Sequence, residues 1–288
     1  MSEKILIIGH GQLGKEFEKF FSILPCFSVS VLKRSEFDYT NFTLLKNRLL
    51  SEKPDYVINC AAFTNVDSAE TKDSLVVTLN TMLPFMLGQY SDIMGFKLIH
   101  FSTDYVFDGK KDGVYTEEDT PRPLNYYGIT KDDGDVLLEK RKNVLILRVS
   151  CVYSPEAGFY KKIRDIAKSQ GSVKVVNDQF TVPTSVNYIV RNVAYNLHAP
   201  INGLYNLVPN GRASYADFAC KILADTTAKV IPVSTKEYSG MVKQPLAKRP
   251  KNSVLYNRKW QNLQYRSDFC FYTEESYWYD DIKTYEID

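Results

Sequence analysis

The 288-residue sequence predicts a doubly wound α/β fold, a parallel sheet with helices on both faces. Three features carry that expectation. Short β-type runs alternate with longer amphipathic stretches, a glycine-rich turn follows the first run, and five such strand–helix units occupy roughly the first 150 residues. The first strand is expected over Ile5 to Ile8 and is followed by a helix from about Gln12 to Phe21, with Leu13, Phe17, Phe20 and Phe21 on one side. Val29 to Leu32 is a second strand, 42–51 a helix, Tyr56 to Asn59 a third strand and 74–91 one long helix. Lys97 to Phe101 and Val144 to Val149 supply the fourth and fifth strands, with a helix through Tyr127, Lys131 and Leu138 between them.

After Cys151 the pattern loosens, with loop signals at Ser154-Pro155, Asn177-Asp178 and Pro209-Asn210-Gly211 around helices near 158–169, 185–198 and 214–226. The expected organisation is a dinucleotide-binding Rossmann domain over 1–150 and a smaller substrate-binding lobe over 151–288, interleaved with the last elements of the sheet. The aromatic-rich tail from Tyr265 to Tyr285 reads as packing rather than a stacking surface for bases.

Composition narrows the function classes. With 44% hydrophobic and 24% charged residues the chain can bury a large core, and 36 Lys+Arg against 34 Asp+Glu leave a net charge of +2 with no basic stripe for nucleic acid. Five widely spaced cysteines and only three histidines argue against a disulfide framework and a zinc site, which implies a reducing, cytoplasmic setting. The N-terminal apolar run is too short for a signal peptide or membrane span, so no membrane partner is expected.

Gly9-His10-Gly11-Gln12-Leu13-Gly14 fits the Gly-x-Gly-x-x-Gly pattern directly after a strand and at a helix start. Such glycines allow a tight turn, a close backbone approach to a pyrophosphate and close helix–strand packing, while the helix N-terminus offers amide donors. Lys33-Arg34 closes the second strand where an acidic residue would bind a ribose 2′-hydroxyl, which favours NADPH, with NADH as the alternative. Ala61 and Ala62 after the third strand let the chain pass close under a cofactor. Asn80 is a candidate anchor for a water or for the fourth-strand backbone, a surface Asn being the plainer reading.

Ser102-Thr103 ends the fourth strand, and Tyr127 and Lys131 stand at i and i+4 on one helix face. A lone Tyr, with a pKa of about 10, is a poor acid near neutrality, and a neighbouring ammonium stabilises its phenolate and lowers that value. Tyr127 would then protonate a carbonyl as hydride arrives. Thr103 or Ser102 would hydrogen-bond the same oxygen, and Lys131 would also hold the nicotinamide ribose.

With these residues in place, the chain resembles the dTDP-4-dehydrorhamnose reductases among the extended short-chain dehydrogenase/reductases. The resemblance spans Gly11 to Gly14, Asn59 to Glu70, Ser102 to Gly109, Pro123 to Lys131, Asp178-Gln179 with Pro183-Thr184, and Arg249 to Leu255. It implies a catalytic set of Thr103, Tyr127 and Lys131 acting on the 4-keto group of a nucleotide-linked 4-keto-6-deoxysugar. Val66 and Tyr105 would border the sugar pocket, with Arg249 and Asn252 near the lobe's side of the cleft. The chain departs from the family in having one residue between its first two glycines, Cys151 where the family commonly has a Trp against the sugar, and Thr181 where Gly is usual. Asp104-Tyr105 stands where bifunctional epimerase-reductases place a Cys, so no epimerisation is expected. Cys151 leaves the identity of the sugar open. The resemblance also leaves open a homodimer, a role for Mg²⁺, and a non-catalytic reading, since the regulatory subunit of methionine adenosyltransferase shares these motifs.

Overall fold

Alternate side chains of the first apolar run enter two different cores. In a computed structural model, which describes residues 2–265, strand β1 (Glu3–Ile8) sends Ile5 and Ile7 to one face, among Phe17 and Phe21 of helix α1 (Gln12–Ser22). Leu6 and Ile8 face the other way, towards the core that Leu45 and Leu49 complete. Two buried faces explain why the run is continuously apolar rather than alternating.

Strand β2 (Phe27–Leu32) pairs parallel with one edge of β1, and after helix α2 (Phe42–Glu52) strand β3 (Tyr56–Asn59) pairs with the other. A one-turn helix α3 (Val66–Ala69) precedes the long helical stretch. The single helix expected over 74–91 is α4 (Ser74–Val77), a π-helical turn over Thr78–Met82 and α5 (Leu83–Met94). Pro84 accounts for the interruption: it has no N–H for the carbonyl of Asn80, four residues back, and its ring crowds that carbonyl. Strand β4 (Lys97–Thr103), helix α6 (Tyr126–Leu138) and strand β5 (Val144–Val149) complete the first half.

The remaining elements are β6 (Val152–Tyr153), α7 (Gly158–Gln170), β7 (Ser172–Val176), β8 (Phe180–Thr181), β9 (Thr184–Ser185), α8 (Val186–Tyr195), β10 (Gly203–Asn206), β11 (Ala213–Ser214), α9 (Tyr215–Ile222), β12 (Lys229–Val233), α10 (Thr235–Met241) and α11 (Arg258–Gln261). Helix α8 returns to the main sheet, placing Tyr188, Ile189 and Val193 in the core that holds α1, and β10 adds a parallel sixth strand beside β5. The six-stranded order is β2-β1-β3-β4-β5-β10. A separate core of Tyr153, Tyr160, Ile163, Val173, Val175 and Phe218 builds the small lobe from α7, α9 and the β7–β12 pair. The tail beyond Tyr265 lies outside the described residues.

Asn80, in the π turn, is wholly buried. Its Oδ1 accepts from the Phe63 N–H at 2.8 Å, and its Nδ2 donates to the Phe63 carbonyl at 3.2 Å and the Thr130 hydroxyl at 3.1 Å. It therefore fastens the loop after β3 to α6; among the described residues it makes no hydrogen bond to the fourth strand, and it is not at the surface. Replacing Asn80 by Leu strands both backbone groups of Phe63; the expected loss is about 3 kcal/mol, read from urea denaturation midpoints.

Candidate active site

Because β2 and β3 flank β1 on opposite sides, the connections leaving β1 and β3 diverge and open a crevice at their carboxyl ends. Gly9, at φ +91°, turns the chain there, and a Cβ on it would lie 2.7 Å from the Ala61 nitrogen. A Cβ on Gly14 would come within 2.1 Å of the Gly9 carbonyl oxygen, so α1 can start this close to the strand only with glycine at both positions. Gly11 is different: a Cβ there would meet nothing within 4 Å. Gly11 is also the N-cap of α1 and offers no side chain to its amides, and the first turn carries no acidic residue. Open, uncapped amides at a helix start suit an anion, and these residues fit the pyrophosphate of a dinucleotide.

The side chains of Gln12 and Leu13 point elsewhere. Gln12 Nε2 donates to the Val152 carbonyl at 3.2 Å and Leu13 packs against the core, so both face the crevice through backbone alone. Past β2, Lys33 sits 3.8 Å from Glu36, while Arg34 is exposed and makes no hydrogen bond or ion pair among the described residues. Ala61 is buried and Ala62 half-buried below the glycine turn.

At the end of β4 the two hydroxyl residues separate, as neighbours on a strand must. Thr103 accepts from the Tyr105 N–H at 3.2 Å, and its hydroxyl favours the ionised form of the Tyr127 phenol. Ser102 points behind α6, donating to Asp135 Oδ2 at 2.7 Å beside Arg148 Nε at 3.2 Å. This corrects the expectation that Ser102 serves the substrate or cofactor through its hydroxyl. Helix α6 reaches the site because Asn125 caps it, accepting from the Gly128 N–H at 2.8 Å, and because Gly128 lies where a Cβ would strike the Tyr105 carbonyl oxygen at 2.3 Å.

Lys131 is 2% exposed. Its Nζ donates to the Phe101 carbonyl at 2.6 Å and stands 3.3 Å from His100 Nε2. Burial brings the Lys131 amine down to about 8, opposed by the charge of Asp135. Burial also pushes the Tyr127 phenol up to about 12, with the Thr103 hydrogen bond pulling the other way. The Lys131 amine itself is held between the Phe101 carbonyl and His100.

Tyr105 meets Tyr127 edge-on at 6.1 Å between ring centroids, and its hydroxyl lies 3.4 Å from that of Tyr215, which leads α9 from the small lobe. Tyr215 acts electrostatically on the neighbouring Cys151 thiol, and the Cys151 φ of +39° is unusual for a residue with a Cβ. Arg249 forms a two-pronged pair with Asp67 at 2.5 and 2.7 Å, next to half-buried Val66, and its charge is felt by Tyr105. Asn252 does not join this group: its Nδ2 donates to the Lys111 and Gly113 carbonyls at 2.8 and 2.6 Å and ties down their loop. That is a second correction to the sequence expectation.

Asp104 is the residue that sequence reasoning passed over at the centre of the cleft. It is buried, accepting from Ser253 at 2.5 Å and Ser150 at 2.8 Å, and it reaches Thr103 at 3.3 Å and Thr181 at 3.4 Å. An acid directly after an apolar strand was the available signal. Tyr215 and His100 were missed as well, the first because its partner is far along the chain, the second because a His inside a strand reads as packing. Among the described residues no group of three or more His, Cys, Asp or Glu side chains could hold a metal ion, and no helix is long and apolar enough to cross a membrane.

Fold and crevice together define a protein of the NAD(P)-binding Rossmann class, built as an extended short-chain dehydrogenase/reductase with a small second lobe. A family model described as the RmlD substrate binding domain matches residues 3–274. The dTDP-4-dehydrorhamnose reductase of Burkholderia thailandensis is 31% identical over 277 residues, covering 88% of this chain and 90% of that protein, and that of Escherichia coli K12 is 30% identical over 270 residues, covering 89% and 90%. The crystal structure of the Bacillus anthracis dTDP-4-dehydrorhamnose reductase in complex with NADP superposes with a TM-score of 0.90 at 28% identity, covering 100% of this chain and 99% of that one. An orthologue from Clostridium acetobutylicum gives 0.88 at 32% identity, with 98% of each chain covered. The chain belongs to the dTDP-4-dehydrorhamnose reductase family.

Burial pushes the Asp104 carboxyl up to about 6 from the ordinary 3.8, against the hydroxyls that donate to it. A raised folded-state value means that its bound proton stabilises the fold, a contribution complete below about pH 4 and lost as pH rises through about 6. Thermal melts of wild type and Asp104→Asn between those limits should therefore show wild type losing ground to the variant as pH rises.

Proposed function

We propose that the protein reduces the 4-keto group of a nucleotide-linked 4-keto-6-deoxysugar with NADPH. What supports this reading is Thr103 at the end of β4 and a Tyr127–Lys131 pair on one face of the adjacent α6, in a chain of this family. The relatives named above are reductases by name, and one was crystallised with NADP, which supports the cofactor class.

The α1 amides at Gly11 to Leu13 would hold the pyrophosphate, Arg34 with Lys33 the 2′-phosphate, Ala61 and Ala62 the adenosine side, and Lys131 the nicotinamide ribose. The bound cofactor supplies a hydride. Thr103 and Tyr127 hold the carbonyl oxygen between their hydroxyls, and Tyr127 releases its phenolic proton to it, so that C4 becomes a secondary alcohol. An ammonium at Lys131 stabilises the phenolate left behind until Tyr127 is reprotonated from solvent. Tyr105, Tyr215 and Val66 would enclose the sugar, with Arg249 at the rim. Cys151 offers little stacking area, so the pocket at that position is shaped by Tyr215 instead.

Tyr127→Phe removes the proton donor and leaves the ring in place. The expected outcome is a fall in kcat of about 100-fold or more, with KM for the sugar nearly unchanged, followed by the absorbance of NADPH with dTDP-4-keto-L-rhamnose as substrate. Full activity in that variant would overturn the assignment of the acid, and cofactor binding without turnover on any keto sugar would favour the regulatory-subunit reading. Arg34→Ala is expected to raise KM for NADPH about tenfold while leaving KM for NADH unchanged, which steady-state kinetics with each cofactor would test.

A further inference from the structure

Behind Lys131 runs a buried line of contacts that the reaction does not itself use. Asn59 Oδ1 accepts from the Ala61 N–H at 3.2 Å, which fixes the orientation of the amide and makes Nδ2 a donor. That Nδ2 faces His100 Nδ1 at 3.1 Å, so Nδ1 is the accepting nitrogen and the proton of the neutral imidazole sits on Nε2. Nε2 in turn faces Lys131 Nζ at 3.3 Å. An ammonium has three donors and no lone pair, whereas an amine accepts from Nε2–H and still donates to the Phe101 carbonyl.

We propose that His100 is a positioning residue that favours the neutral amine of Lys131 in the free protein, so that on the alkaline side of neutrality cofactor binding is coupled to uptake of a proton by Lys131. This rests on the reading of Lys131 as the ribose-binding lysine. Charging Lys131 where it stands would require the imidazole proton to move to Nδ1 and the Asn59 amide to turn over, depriving the buried Ala61 N–H of its acceptor directly beneath the Gly9 turn. Cofactor hydroxyls that accept from an ammonium, together with phosphate charge in the crevice, draw the lysine off His100 and favour its charged form. The neighbouring ionisable groups are Tyr127, Asp132 and Asp135 on α6, His100 on β4, Asp104 after it and Arg148 on β5. Arg148 and the Ser102 hydroxyl both bind Asp135, diluting the one carboxylate that supports a charged Lys131. Burial holds His100 well below its ordinary value, in keeping with a neutral ring.

The test is calorimetry of NADPH binding to the full chain at about pH 8.5, in buffers of different ionisation enthalpy, whose slope counts protons exchanged. The 2′-phosphate, with a second pKa of about 6, is silent there. Wild type should take up roughly half a proton or more per cofactor, and Lys131→Met should not. Asn59→Asp gives the decisive contrast. Its carboxylate accepts from both the Ala61 N–H and a proton on Nδ1, turning Nε2 into an acceptor for an ammonium, so the variant should bind NADPH with little or no uptake. His100→Phe, which removes the Nε2 donor, should lower the uptake at least twofold and carries the test if Asn59→Asp does not fold. No uptake by wild type, or uptake unchanged in the folded variants, would overturn the inference while leaving the proposed function intact. Failure of NADPH to bind wild type at all would overturn both.

Discussion

Burying a primary amine is costly, and much of the site follows from how this chain manages it at Lys131. A charged ammonium in an apolar interior is tolerated only with hydrogen-bond acceptors and a counter-charge within reach. Here a backbone carbonyl accepts from the amine, a neutral imidazole donates to it, and a carboxylate stands one helical turn away. None is a direct ion pair. The amine is therefore left responsive, which is what a group that must both bind a ribose and bias a phenol requires. A close carboxylate would have held it permanently charged.

The same economy appears in how the catalytic helix is placed. Helix α6 contributes Tyr127, Lys131 and Asp135, successive turns of one face, and it is pinned from three directions: by Asn125 at its start, by Gly128 against the Tyr105 carbonyl and by Asn80 through Thr130. The π turn that displays Asn80 traces to Pro84, a residue four positions on with no contact to the site. A local backbone defect in one helix thereby sets the position of a loop, and of a second helix, on which the chemistry depends.

Across the cleft, the phenols of Tyr105 and Tyr215 meet from the two lobes, and the Asp67–Arg249 pair spans the same divide. These contacts bring together residues more than a hundred positions apart. Asp104 joins β4, β5, β8 and the segment at Ser253 through hydroxyl donors alone. Such a hub couples the Thr103 side chain to the small lobe without placing a permanent counter-ion beside the reacting oxygen.

Sequence periodicity alone determined the strands β1, β3 and β5, the glycine turn and the Tyr127–Lys131 face, because each depends on residues within a few positions of one another and on burial patterns that local spacing records. The families of residues that line the crevice were legible for the same reason. What only the tertiary structure decided was direction. Ser102 and Thr103 are adjacent, and which hydroxyl faces Tyr127 depends on how β4 meets α6. Asn80 fastens one loop and Asn252 another, because their partners are brought to them by packing. The sixth strand at Gly203–Asn206 and the tautomer of His100 belong to the same category. Each is specified by a neighbour distant in the chain, and a one-dimensional pattern carries no record of which distant groups will share a buried hydrogen bond.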